Sequence, residues 1–318
     1  MIGHAPALRL FRGRRRPMTF ARASLYGFVV LALVSWGYIL AATDSGAADL
    51  VSPKTWSNAG NFSRQLIGVD SPTRPAYLEV DRWLVTGRLA LDTLAMSVLA
   101  IVLTGVAVLP TFLSGARNVS NGDLGGAPSR LGTLFYHGVR LAFTLTRAVP
   151  ELVWAMVIVF FLSPGILPGA VALAVHNYGV VGRLSAEVVE NLDPGPAKAL
   201  RSAGASNLQM LIYSIFPQAL PHFLTYLLYR WEVIIRTTVV VGFVSAGGLG
   251  REFRLSLSYF HYTDLALLIM WYLILVIAVD LLSAWLRRLV TGRVKGAIRR
   301  FGMATSARCR RPGLPYRP

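Results

Sequence analysis

Cysteine, lysine and charged residues in general are rare in this chain of 318 amino acids, and each shortage excludes a function. The single cysteine, Cys309, excludes a disulfide framework or a cysteine-based metal site within one chain. None of the three lysines lies in a G-x-x-x-x-G-K-[ST] loop, so any ATP hydrolysis belongs to another subunit. Acid–base dyads, His-Glu metal spacing and G-x-S-x-G elbows are also missing. We therefore predict a chain that is not an enzyme and holds no metal or cofactor itself.

The scarcity of charge is typical of a polytopic membrane protein, with 15% charged against 54% hydrophobic residues. The net charge of +17 is concentrated at the two ends. Six arginines and no acid precede residue 24, and ten basic residues and no acid follow from Arg287 onward. The positive-inside rule predicts that both ends are cytoplasmic. Their expected partner is anionic membrane lipid, and nucleic acid is not expected.

Six apolar stretches predict an all-α membrane protein with six transmembrane helices. The first, Ser24–Ala42, follows an arginine-rich start; a cleaved signal peptide is the alternative, but its length favours a retained helix. The other predicted spans are Leu89–Pro110, Leu141–Pro164, Ile166–Gly182, His222–Gly250 and Leu265–Leu286. The predicted organisation is a basic tail at 1–23, a helix at 24–42, an extracytoplasmic segment at 43–82, a five-helix core at 83–288 with a cytoplasmic loop at 183–221, and a basic tail at 289–318.

The polar loop between the fourth and fifth predicted spans carries the most informative pattern. Asp193 is placed to cap a short helix that opens with Pro194, and Gly204 is placed to end it in a left-handed turn. Ser206 and Gln209 have the S-x-x-Q spacing of a capping box, which predicts the start of a second helix. A helix, a hinge and a helix are more typical of a docking surface than of an ordinary connection.

The second predicted helix of this loop is amphipathic. Its apolar residues recur at i, i+3, i+4 and i+7 and are Leu208, Leu211, Ile212 and Ile215. We expect Pro217 to break the helix, because proline lacks a backbone N–H and clashes with the preceding turn.

The loop resembles the cytoplasmic EAA loop of ABC-transporter permeases, E-A-A-x3-G-x9-I-x-L-P. The interval from Gly204 to Pro217 matches the motif. Four positions depart from it: Lys198 replaces Glu, Leu200 replaces Ala, Ser214 replaces Ile and Phe216 replaces Leu. The resemblance implies that ATPase subunits dock on this loop. The residues expected to make the coupling contact are Lys198, Ala199, Leu200, Ala203, Gly204, Leu208 and Pro217.

Three passages resemble the permease of phosphonate importers, a family that also includes phosphite and hypophosphite permeases. They are RAVPELVWA, DPGPAKALRSAGAS with FPQALP, and LYRWEVIIRTTVVVGFVSAGGLG. The resemblance covers much of residues 141–253 and implies a type I importer fold in the bacterial cytoplasmic membrane. It implies a homodimer of two permease copies, two ATP-binding subunits that hold ATP and Mg²⁺, and an extracytoplasmic binding protein that delivers the substrate.

Charged side chains inside membrane spans are costly and need a reason. Those in the third and fifth predicted spans are Arg147, Glu151, Arg230, Glu232 and Arg236. The interpretation we favour is that they snorkel or pair, for example Glu232 with Arg236 at i, i+4. The alternative is that Arg230 or Arg236 lowers the barrier for an anion in the translocation path.

Three further features are candidates for the path or its gate. Pro150 must bend its helix or mark its beginning, and this is either a structural kink or part of a gate. A glycine cluster is predicted to be a break or close-packing point lining the path, and consists of Gly242, Gly247, Gly248 and Gly250. His176, beside Asn177, is expected to be a packing histidine rather than a substrate contact.

The alternative function is an ion- or proton-coupled secondary transporter, with Asp92 and Asp280 as candidate coupling acids. The two matching repeats with broken helices that such transporters use are not visible in the sequence. A membrane enzyme acting on lipid is a further alternative, without a motif to support it. We therefore expect a permease subunit that carries a phosphonate or a related phosphorus oxyanion.

Overall fold

A computed structural model of the chain describes residues 20–41, 46, 49, 52–69, 74–122, 130–245 and 247–309. Within these ranges the regular structure is entirely helical. The helices are α1 (Phe20–Ala41), α2 (Pro53–Ile67), α3 (Val80–Val108), α4 (Arg117–Ser120), α5 (Arg130–Ala148), α6 (Glu151–Ile158), α7 (Ile166–Glu190), α8 (Gly195–Ser202), α9 (Asn207–Met210), α10 (Phe216–Ser245), α11 (Gly248–Ser258) and α12 (Tyr262–Cys309). Most of the predicted basic tail at 1–23 and the last nine residues of the tail at 289–318 lie outside the described residues.

The chain divides into two compact units, residues 1–64 and 65–318. In the first unit α1 is apolar along most of its 22 residues, with Arg22 near its start, and has no buried side chain. It corresponds to the first predicted span. The second unit contains the helices that carry the candidate site.

By length and composition, three described helices could cross a membrane: α1, α3 and the part of α12 up to Val290. Two bent pairs, α5 with α6 and α10 with α11, raise the number to as many as five. The remaining predicted span, at 166–182, lies in α7. Helix α7 contains polar residues such as Asn177, Arg183 and Glu187 and is not among the described helices that could cross a membrane by length and composition. The structure therefore supports a polytopic helical protein, and the count of six spans stays a prediction.

The bend or beginning expected at Pro150 is confirmed within the predicted span at 141–164, where α5 ends and α6 begins. Helices α5 and α6 meet there at an angle of 92°. Pro150 is the N-terminal cap of α6. The carbonyl oxygen of Val149, just before it, is hydrogen-bonded to Nδ1 of His176 at 2.9 Å. The indole of Trp154 donates to the carbonyl of Thr146 at 3.1 Å, so the bend is held from both sides. His176 thus has a structural contact, in line with the expectation that it packs.

Helix α7 lies at the centre of the second unit, against α3, α5, α6 and α10. Glycines allow α5 to come close to it: a Cβ on Gly182 would lie 2.2 Å from Cε1 of the buried Phe143, and a Cβ on Gly179 would lie 2.5 Å from the carbonyl of Phe143. Small residues at such contacts are typical of helix packing in membranes. This close packing fixes the position of α7, which supplies one wall of the candidate site.

The predicted span at 222–250 also differs from the observed helices. Helix α10 begins earlier, at Phe216, and the chain turns by 52° before continuing as α11. Gly248 at the start of α11 has φ +58°, and a Cβ there would lie 2.4 Å from Oγ1 of Thr93. The N–H of Leu249 donates to that hydroxyl at 2.8 Å. The glycine cluster is therefore a break and a close-packing point, and its role in lining the path stays a prediction.

Candidate functional site

The polar loop forms the predicted helix, hinge and helix. The side chain of Asp193 accepts a hydrogen bond from the N–H of Gly195 at 2.9 Å, and α8 starts at Gly195, with Pro194 as its cap. The helix ends at Ser202, and Gly204 has the left-handed φ of +84°. Nothing lies within 4 Å of a Cβ built on Gly204, so its conformation, not crowding, requires glycine.

The capping box at the start of α9 is confirmed. The N–H of Gln209 donates to Oγ of Ser206 at 3.4 Å, and the N–H of Ser206 donates to Oε1 of Gln209 at 2.8 Å. Two backbone N–H groups at the helix start, those of Ser206 and Gln209, thereby gain hydrogen-bond partners. Local hydrogen bonds therefore define the hinge on both sides.

The expectation that Pro217 breaks the second helix is wrong. After α9 the chain makes one π-helical turn, Leu211–Ile215, and runs directly into α10 through Pro217. A π turn is wider than an α turn and accommodates a proline whose ring would otherwise clash with the preceding turn. The side-chain amide of Gln218 donates to the carbonyl of Ser214 at 2.9 Å, which stabilises this junction.

The apolar residues of the loop divide between the protein interior and its surface. Ala197, Met210 and Ile215 are at most 2% exposed, and Ala197 and Ile215 belong to a core cluster with Phe112, Phe223 and others. The surface residues are Leu208, Ile212 and Tyr213, which are 66%, 49% and 72% exposed. The predicted amphipathic face is therefore only partly buried. We call Leu208, Ile212 and Tyr213 the exposed apolar patch of the loop.

The other loop residues expected to make a coupling contact are mostly accessible. Leu200 is half-buried, and the exposed ones are Lys198, Ala199, Ala203, Gly204 and Pro217. The structure thus brings the expected residues to one polar loop with an apolar patch at its end. Sequence analysis missed Ile212 and Tyr213 as surface residues, because helical periodicity does not distinguish a core from a partner.

The charged residues of α10 pair differently from the prediction. Glu232 does not pair with Arg236; it accepts a hydrogen bond from Arg287 of α12 at 2.5 Å. Arg236 pairs with Asp280 of α12 at 2.7 Å. The i, i+4 spacing was misleading because each side chain has an oppositely charged partner on the neighbouring helix, 44 or 55 residues away in sequence.

Arg230 has a neutral partner. Its Nε donates to the amide oxygen of Asn177 on α7, and Asn177 is 2% exposed. Nearby, Oε2 of Glu151 lies 3.5 Å from Nε2 of His176. Arg147 is exposed at the end of α5, and no side-chain partner for it occurs among the described residues. The structure therefore brings Arg230, Glu151 and the bend at Pro150 to the surroundings of α7, and places Glu232 and Arg236 against α12.

Metal ligation finds no support in the described part of the chain, which contains no group of three His, Cys, Asp or Glu side chains that could hold an ion. Two acids are the candidate coupling acids of the alternative transporter. Asp92 on α3 is half-buried, and the negative charge of Asp280 is balanced by Arg236.

The described helices include several candidate membrane spans and one exposed helix–hinge–helix loop, the combination expected of a membrane component of a transporter. Residues 124–296 match the family described as the inner-membrane component of binding-protein-dependent transport systems. This chain belongs to that family.

Two similar proteins are transport permeases by name. The phosphite transport system permease protein PtxC of Stutzerimonas stutzeri is 36% identical over 198 residues, which cover 62% of this chain and 68% of that protein. The phosphate-import permease protein PhnE of Mycolicibacterium smegmatis is 31% identical over 69% of this chain, but the match spans only 40% of its length.

Solved structures agree on the fold. The inward-facing MetNI methionine ABC transporter aligns with a TM-score of 0.56 at 20% identity, over 67% of this chain and 99% of that one. An amino acid ABC transporter with histidines aligns with a TM-score of 0.52, also at 20% identity, over 64% of this chain and 95% of that one. The fold is therefore that of ABC importer permeases.

Proposed function

We propose that this chain forms the translocation path for a phosphorus oxyanion, such as a phosphonate, phosphite or phosphate, in an ATP-driven importer. The family establishes the permease role, and the names of the two relatives above support the substrate class. In this proposal the importer contains two copies of the permease, two ATP-binding subunits that hold ATP and Mg²⁺, and an extracytoplasmic binding protein. The six-helix type I topology, with both termini in the cytoplasm, belongs to the same proposal, as do the domain boundaries predicted from the sequence.

The observation that carries the proposal is the exposed helix–hinge–helix loop. Its hinge is held by Gly204 and by the capping box, while its apolar patch is left to solvent. A short helix with exposed apolar side chains fits a groove on a partner, which is a common mode of helix recognition. Docking of the ATPase there would transmit its closure to α10, because α9, the π turn and α10 follow one another without a loop.

Lys198 stands where the EAA motif has glutamate, and it is exposed. In the proposed complex it contacts an acidic side chain of its own ATPase subunit, since complementary charges at an interface rim specify the partner. This makes the contact specific to the natural pair of subunits.

A substitution at Gly204 tests the docking role. Gly204→Arg would add a large side chain that meets no other part of the chain and would strain the left-handed backbone of the hinge, so membrane insertion is expected to be normal while ATP-dependent uptake of phosphite, phosphonate or phosphate is lost. Gly204→Asn is the matched control, because asparagine tolerates the left-handed conformation and adds little bulk. Normal uptake by the Gly204→Arg variant would contradict the docking role.

The importer itself is tested by copurification and by the energy source of uptake. Extraction of the tagged chain in mild detergent is expected to recover a subunit with a nucleotide-binding P-loop, identified by mass spectrometry. Uptake is expected to continue when a protonophore collapses the proton gradient while ATP is maintained. Loss of uptake under that condition would favour the secondary transporter instead.

A further inference from the structure

The partly buried arginines of the described residues differ in how their charge is compensated. Three of them form an ion pair with a glutamate: Arg140, Arg183 and Arg287. Arg230 has the amide of Asn177 instead. Glu151 is near enough to attract the Arg230 guanidinium, but no carboxylate within the described ranges forms an ion pair with it. Arg230 therefore keeps its positive charge and its two terminal nitrogens for another partner.

Two rows of side chains continue from this hydrogen bond toward the coupling loop. On α10 the row has a spacing of four residues and consists of Arg230, Tyr226 and His222. Along α7 it has a spacing of seven residues and consists of Asn177, Leu184 and Asn191, the residue that caps the C-terminal end of α7. The rows meet at one end through the Arg230–Asn177 hydrogen bond. At the other end they line one cavity of about 390 Å³, with Tyr226 and His222 on one wall and Leu184 and Asn191 on the other. The donors on α10 thus extend over about 12 Å of helix.

The cavity offers uncompensated donors. Neither the hydroxyl of Tyr226 nor the ring of His222 has a hydrogen-bond partner in the part of the chain that the structure describes. The acid that lines the cavity, Glu187, is paired with Arg183 at 2.5 Å, so its negative charge is balanced. The cavity lies at the C-terminal end of α7, where the chain continues into the coupling loop.

We propose that Arg230, Tyr226 and His222 form an anion track along which a tetrahedral phosphorus oxyanion moves through the membrane to the loop side. The guanidinium binds two oxygens of such an anion at once, and the hydroxyl and the imidazole each donate one hydrogen bond. Asn177 orients the guanidinium through Nε without cancelling its charge. This inference rests on the proposed function and adds the residues that recognise the oxyanion inside the permease.

Transport by the reconstituted complex of permease, ATPase and binding protein tests the track. The probes are phosphite, methylphosphonate and inorganic phosphate, and uptake is measured per ATP hydrolysed. Arg230→Gln is expected to lower this ratio about tenfold, because a charged hydrogen-bond donor is lost, and Arg230→Lys is expected to retain part of it. Tyr226→Phe is expected to lower it about threefold, and Tyr229→Phe, an exposed tyrosine on the same helix, is the control with no change.

The outcomes separate the track from the function on which it rests. Reduced uptake with unchanged copurification of the ATPase subunit supports the track. If Arg230→Gln fails to assemble, Tyr226→Phe decides, since it removes a single hydroxyl. Normal uptake by the variants of both residues overturns the track alone. Failure of the wild-type complex to carry any of the three anions overturns the proposed substrate class, and the track with it.

Discussion

The charged side chains on the two sides of α10 differ in whether an opposite charge pairs with them. On the side of α12, Glu232 and Arg236 are each matched by an opposite charge, on Arg287 and Asp280. On the side of α7, Arg230 has only a neutral amide and a more distant carboxylate. In a membrane, an ion pair between helices holds them together, whereas an uncompensated charge is costly and is retained where it has a function. In the proposed track the α7 side of α10 is the substrate side, and we call the α12 side, where the charges pair between helices, the assembly side.

The largest effect is expected from breaking the more buried pair on the assembly side. Glu232→Gln would leave the charge of Arg287 without its carboxylate in a partly buried position, at a cost of about 2 kcal/mol in the free energy of unfolding. The melting temperature of the detergent-purified complex should fall by roughly 4–8 °C. The double variant Glu232→Gln with Arg287→Gln should recover part of this loss, and a fall without such recovery would show that the pair is not the cause.

A second prediction concerns the substrate side, where a carboxylate is introduced next to Arg230. Asn177→Asp has the same shape but gives Arg230 a carboxylate partner, as on the α12 side. Stability should be maintained, while oxyanion uptake should fall about tenfold, because the compensated guanidinium no longer attracts the anion. The measurement is uptake per ATP hydrolysed, together with the melting temperature. Unchanged uptake would mean that the charge of Arg230 does not act on the substrate.

The smallest effect is expected at the exposed pair. Arg236 and Asp280 are 49% and 37% exposed, more than Glu232 and Arg287, and asparagine at position 280 keeps an amide oxygen to accept the hydrogen bond from Nη2 of Arg236. Asp280→Asn should therefore change the melting temperature by no more than a few degrees and leave ATP-dependent uptake near normal. A large loss of uptake in this variant, with the protein still folded, would instead point to Asp280 as a coupling acid of a secondary transporter.

Local features of the coupling loop could be predicted from sequence because their causes lie within a few residues. The left-handed Gly204 and the capping box of Ser206 and Gln209 depend on backbone geometry and on neighbours three residues apart. The break at Pro150 was recognised as a bend or a beginning for the same reason. Its angle was not predictable, because it depends on what His176 and Trp154 contact.

The failures concern partners that are distant in sequence. The partners of Glu232 and Arg236 lie on α12, and that of Arg230 lies on α7, 53 residues away. Helical spacing suggested a pair between neighbours and could not reveal these contacts. The passage through Pro217 was missed because a π turn leaves no simple signal in the sequence.

The π turn at Leu211–Ile215 has a mechanical consequence. A π turn contains one residue more than an α turn, so deleting a single residue there should convert it into an α turn and leave Leu208 pointing in nearly the same direction relative to α10. The loop and α10 can thus differ in length by one residue without losing their alignment. The backbone from Asn207 to Val244 is helical throughout. In the proposed complex, a rotation of the helix at Leu208 would therefore also rotate Arg230.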